Sequence, residues 1–106
     1  MLRIYGVVLE LIRLLVPVIR EIERHDSDLA CQLKRAMASV SLNIAEGSYS
    51  RGKNRLVRYH TALGSTREVL ACLETAVAFG YVGQVDPTVS NSFDHVLGTL
   101  VRLVRH

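Results

Sequence analysis

The residues of this chain that are equipped for chemistry gather near its middle. Ser39, Asn43 and Glu46 interrupt the apolar run Ser39-Val40-Ser41-Leu42-Asn43-Ile44-Ala45-Glu46-Gly47, and the basic segment Arg51-Gly52-Lys53-Asn54-Arg55 follows closely. Asn43 and Glu46 stand three apart, which puts them on one helical face. Arg58 and Ser65, on a following antiparallel helix, come level with that face. A carboxylate placed there either moves a proton or holds a cation. Ser39, Asn43, Glu46 and Ser65 read as a structural polar network that fixes the register of two helices. A single Glu without a nucleophile or a metal partner does not make an active site. We therefore expect no catalytic residue and no enzymatic activity. An enzyme would need a pocket lined by Asn43, Glu46 and His60.

The stronger signal is cationic. Residues 34–67 hold seven Lys and Arg against one acid, Glu46, although the formal charge of the whole chain is only +3. Arg51, Arg55 and Arg58 fall at i, i+4 and i+7, one stripe of a helix. Lys53 lies beside them, Lys34 and Arg35 add charge from the preceding helix, and Tyr49 offers a ring for a base to stack on. These six cations form the candidate nucleic-acid surface. Phosphate binding needs little more than such a cluster. The sequence has no helix-turn-helix or RNP signature, so the expected contact with RNA or DNA is sequence-tolerant and salt-sensitive.

Metal and cofactor chemistry is not expected. The histidines are His25, His60, His95 and His106, and no Glu-x-x-His of the di-iron bundles occurs. Cys31 and Cys72 make no CxxC pair and read as small core residues in a reducing compartment.

The elements that must position these residues are helices. Ile4, Val7, Val8, Leu11, Ile12, Leu15, Val18, Ile19 and Ile22 keep a 3.6-residue period. Leu56, Leu63, Leu70 and Val77 recur every seven residues, with Tyr59, Thr66 and Leu73 between them. Asp26 or Ser27 suits a helix cap, and Asp86-Pro87 reads as a cap followed by a first-turn proline. Gly47 and Gly80 are placed to end helices in the left-handed conformation. Pro17 should kink the first helix. The expectation is all-α: one domain over 1–106, an antiparallel up-down-up-down four-helix bundle. Its helices should span about 2–24, 27–46, 53–79 and 87–104.

Glu10, Arg13 and Arg20 interrupt the apolar stretch Ile4–Ile22, which argues against a membrane span and a signal peptide, so a cytoplasmic location is expected. An apolar fraction of 49% is high for 106 residues. So small a core cannot hide all of it, and copies of the chain should gather to cover the rest. A second expectation, with the charge serving solubility alone, is a scaffold whose partner is another protein.

The run Ser39–Gly47 also resembles the hallmark of a known family. With Gln32, Arg35-Ala36, Ala62-Leu63-Gly64-Ser65, Glu68, Glu74 and Gly80-Tyr81-Val82, it resembles the small bacterial proteins encoded in intervening sequences of 23S ribosomal RNA genes. That family also resembles the accessory protein of diversity-generating retroelements. The resemblance covers about residues 29–82. It implies a four-helix bundle assembled into a ring of five subunits. It also implies that retroelement-linked members bind nucleic acid and a reverse transcriptase. Where the family often carries an acid early in its third helix, this chain has Asn54-Arg55.

Overall fold

The computed structural model describes residues 2–105 of the chain. Four helices take up nearly all of them: α1 (Arg3–His25), α2 (Ser27–Tyr49), α3 (Gly52–Ala78) and α4 (Pro87–Val104). No strand occurs among the described residues. α1 and α3 each pack against both α2 and α4, so the helices stand at the corners of a square and alternate in direction. The bundle measures 42 × 25 × 20 Å. At about 1.5 Å per residue, α3 runs almost its whole length.

The apolar periods become one continuous core. α1 buries Ile4, Val8, Leu11, Leu15, Ile19 and Ile22, and α4 answers with Val89, Phe93, Val96 and Leu100. Each such side chain contributes about 1.5–3 kcal/mol when fully buried. On α3, Tyr59, Leu63, Thr66 and Leu73 are buried, while Leu56, Leu70 and Val77 are half-buried. Cys72 joins the core, but Cys31 is exposed, so only one of the two cysteines fills it. Burial pushes the Cys72 thiol above its ordinary range, with a smaller push from Glu68. Pro17 sits on the exposed side of α1, and the helix passes through it unbroken.

The helix ends are fixed by local chemistry. Asp26 Oδ1 accepts the Leu29 N–H at 2.9 Å and caps α2. Asp86 Oδ1 accepts the Thr88 N–H at 2.7 Å, with Pro87 opening α4. After α3, Gly80 takes φ +77°, the Tyr81 N–H reaches Ala76 O and the Gly80 N–H reaches Val77 O, both at 2.9 Å. Tyr81 then stacks between His25 (5.3 Å between ring centres) and Phe79 (5.1 Å). Its hydroxyl donates to Asp26 Oδ2 at 3.2 Å. One tyrosine thus ties the long connector to the α1–α2 turn.

Gly47 departs from expectation. It does not end α2; the helix continues to Tyr49, and Gly47 is buried inside it. A Cβ there would overlap the ring of Tyr59 on α3. The glycine is needed for close approach of two helices rather than for a left-handed turn. The left-handed residue of this connection is Gly52, at φ +57°.

Gly47→Ala should destabilise the fold by about 1–3 kcal/mol through overpacking, although alanine is the better helix former by about 1 kcal/mol. Urea unfolding checks this, and unchanged or higher stability would contradict the close approach. The Tyr81 phenol is held above its ordinary value by partial desolvation, then by its bond to Asp26 and the charge of Asp26. A raised value means that the interaction is fully present below about pH 10 and is lost as pH climbs through the raised value. The stability difference between the native chain and Tyr81→Phe should therefore be largest near about pH 8 and shrink towards about pH 11. A constant difference would count against it.

Candidate nucleic-acid interface

The candidate residues lie on and beside the α2–α3 seam. The facing positions of this seam are small: Ala36, Ser39 and Gly47 on α2, Ala62 and Ser65 on α3. Ser39 Oγ and Ser65 Oγ meet at 2.7 Å, and either hydroxyl serves as donor. Asn43 Nδ2 donates to Ser39 O at 2.9 Å and to Ser39 Oγ at 3.1 Å. Arg58 Nη1 lies 3.5 Å from Asn43 Oδ1, at the outer limit of a hydrogen bond. Ser39, Asn43 and Ser65 thus touch one another across or along the seam. Glu46 stands apart from them. It is exposed, and its carboxylate takes part in no hydrogen bond or ion pair among the described residues. Together with Arg35, Leu42 and Arg58 it lines an open groove beside the seam. His60, the third residue an enzymatic pocket would require, is exposed and does not line this groove.

The end of α2 explains the polar residues after Glu46. Ser48 Oγ donates to Ile44 O at 3.0 Å and Ser50 Oγ to Glu46 O at 2.8 Å. Arg55 Nε donates to Gly47 O at 3.1 Å and to Ser50 O at 2.9 Å. Ser50 and Arg55 thus supply partners to carbonyls at the open end of the helix, whereas Ser48 bonds back to a carbonyl inside the helical ladder. Arg55 thus has a structural task, which the i, i+4, i+7 stripe did not reveal.

The six candidate cations are all exposed, and none makes an ion pair among the described residues. They are spread along the bundle rather than gathered at one point, although Arg35 reaches the groove that Arg58 also lines. Arg51, Lys53, Arg55 and Arg58 sit at the bundle end where α2 turns into α3. Lys34 and Arg35 lie roughly 20–25 Å up the bundle at about 1.5 Å per residue, and as neighbours on a helix they point about 100° apart. The antiparallel topology brings other cations to the end instead: Arg3 from the start of α1, and Arg102 and Arg105 from the close of α4. Within two turns of this end stand seven Arg and Lys and a single acid, Glu46. The opposite end holds Glu21, Glu23, Asp26, Asp28, Glu74 and Asp86 against Arg20 and Arg24. Helix capping follows the same division. α2 and α4 start at the acidic end and are capped by Asp26 and Asp86. α1 and α3 start at the basic end with no side-chain cap and no acid in the first turn. Their positive dipole ends reinforce the field of the cations.

The sequence model of the 23S rRNA-intervening sequence protein family matches residues 2–100. The chain belongs to this family. A crystal structure of a protein of unknown function from the S23 ribosomal protein family of Bacteroides thetaiotaomicron VPI-5482 has the same fold. It superposes with a TM-score of 0.81 over 97% of this chain and 99% of that one, at 16% sequence identity. No match was found among the curated proteins. Among the described residues, no helix is long and apolar enough to cross a membrane, and no group of three or more His, Cys, Asp or Glu is placed to hold a metal.

Ser39→Ala should destabilise the bundle by about 1–2 kcal/mol, because it strands the Ser65 hydroxyl and removes a partner of Asn43. The double variant Ser39→Ala/Ser65→Ala should cost less than the two single changes added together. A double-mutant cycle by urea unfolding measures this coupling, and strict additivity would show that the hydroxyl pair carries no energy of its own.

Proposed function

We propose that this family member is a non-enzymatic, cytoplasmic homo-oligomer, a ring of five subunits, that binds nucleic acid through its exposed cations. The carrying observation is that Arg51, Lys53, Arg55 and Arg58, gathered where α2 turns into α3, are all exposed and none is neutralised by an ion pair among the described residues. Cations left in water without partners are what a phosphate backbone requires. The number five is the one that the family resemblance implies.

Self-assembly is supported by the outer faces of α2 and α3. Leu42 is 63% exposed and Val57 61% exposed. Leu42 lies between Ala38 and Ala45 on its helix, and Val57, Gly64, Ala71 and Ala78 repeat every seven residues on the outside of α3. A short-side-chain stripe with that spacing suits another helix laid lengthwise along it. Copies arranged around a ring would multiply each modest cationic surface, so that avidity rises without new contacts.

A second reading takes another protein as the partner. Its support is Phe79, 67% exposed at the opposite, acidic end beside the stacked Tyr81.

Light scattering with a salt-dependent RNA shift tests the first reading. The native chain should scatter as about five copies of its 11.8 kDa mass, and Leu42→Glu/Val57→Glu should scatter as one. Labelled RNA should bind at low salt and release as salt rises. Arg51→Glu/Lys53→Glu should weaken binding at least tenfold. These two are chosen because reversal at Arg55 would also uncover the end of α2. A folded monomer at micromolar concentration would remove the ring, and no RNA shift at low salt would remove the nucleic-acid role.

A further inference from the structure

The basic end is more than a charged surface. Between the start of α3 and the chain segments at Leu2 and Leu103 lies an open depression of about 530 Å³. Leu2, Leu56, Tyr59 and Leu103 give it an apolar lining, and Lys53 and Arg55 stand in its rim. Arg51 precedes α3, and Arg3, Arg102 and Arg105 flank the same end from α1 and α4. An apolar hollow with two cations in its rim, and with Arg3 lining the adjoining depression that shares Leu2 and Leu103, matches a ligand that is flat and apolar in one part and anionic on either side of it. A nucleobase on its sugar-phosphate backbone has this chemistry, provided that the base is free to leave its stack. A duplex keeps its bases stacked inside and would offer only phosphates.

We propose that the basic end of the bundle binds single-stranded nucleic acid, with one base held in the Leu2/Leu56/Tyr59/Leu103 depression and the neighbouring phosphates on Arg3, Lys53, Arg102 and Arg105. This rests on the nucleic-acid reading above and makes it specific in place and in strandedness. Lys34 and Arg35, far up the bundle, are outside the contact. With about four phosphates engaged, the logarithm of the binding constant should fall against the logarithm of salt with a slope of about −3.

The experiment is fluorescence anisotropy at low salt with the native protein and five labelled probes. These are a uridine 12-mer RNA, a thymidine 12-mer DNA, the same DNA backbone without bases, and a blunt duplex of each kind. Both single strands should bind at least tenfold tighter than the duplexes and the abasic strand. A preference for the RNA or DNA strand identifies the natural source without affecting the proposal. Arg3→Glu/Arg102→Glu/Arg105→Glu should lose at least tenfold, and Lys34→Glu/Arg35→Glu less than twofold. Circular dichroism confirms that both variants are folded. The probe comparison uses the native chain and stands even if a variant is not folded. Equal binding of the abasic strand, or tighter binding of a duplex, would overturn the base contact. Loss in the Lys34/Arg35 variant with retention in the other would overturn its location and leave the nucleic-acid role intact. Failure of every probe to bind would overturn both and favour a protein partner.

Discussion

The structure depends on how closely α2 and α3 approach. Gly47 has no side chain because the Tyr59 ring occupies that space. Ala36, Ala62 and the two serines keep the rest of the seam narrow. At that separation Ser39 and Ser65 reach each other directly, and the register of the two helices is set by a hydrogen bond as well as by packing. The close seam also permits a connection of only two residues, Ser50 and Arg51, between α2 and α3. A turn that short leaves carbonyls open, and Ser50 and Arg55 cover them. The run Ser39–Gly47 together with the residues after it is therefore a packing and capping device. Of its polar members, Ser39 and Asn43 have structural partners, and Glu46 has none among the described residues.

Much of the fold was legible before any coordinates. α1 follows its apolar period to within a residue at each end, and Asp26, Asp86 and Gly80 do what their types and positions announced. These signals are local, and local rules suffice to read them. The misreadings required knowledge of a neighbouring helix. A glycine late in a helix serves either a left-handed turn or a close approach, and only the Tyr59 ring decides between them. Glu46 shares a face and a groove with Asn43, yet its carboxylate stands in solvent without a partner among the described residues. Arg55 has cationic spacing and a capping task together, and the carbonyls it meets belong to α2.

The cationic surface was legible only in part, for a related reason. Counting charge along the chain favours the middle third and misses Arg3, Arg102 and Arg105, which are distant in sequence. An even number of antiparallel helices returns the last helix to the level where the first began, beside the second turn. The signal was therefore present in the topology, while a count over residues 34–67 could not register it. The same count grouped Lys34 and Arg35 with the turn, although two-thirds of a helix separates them from it.

The separation of charge along the 42 Å axis has a consequence for how copies meet. In the proposed ring, bundles whose long axes lay along the symmetry axis would stand side by side and parallel. Like ends then crowd together, cation against cation at one rim and carboxylate against carboxylate at the other. Dissolved ions relax that repulsion and, by the same screening, loosen a polyanion from the cationic rim. In such an assembly ionic strength drives cohesion and capture in opposite directions. A polyanion lying across the rim would neutralise what holds the copies apart, so the bound strand itself would act as a clamp on the assembly.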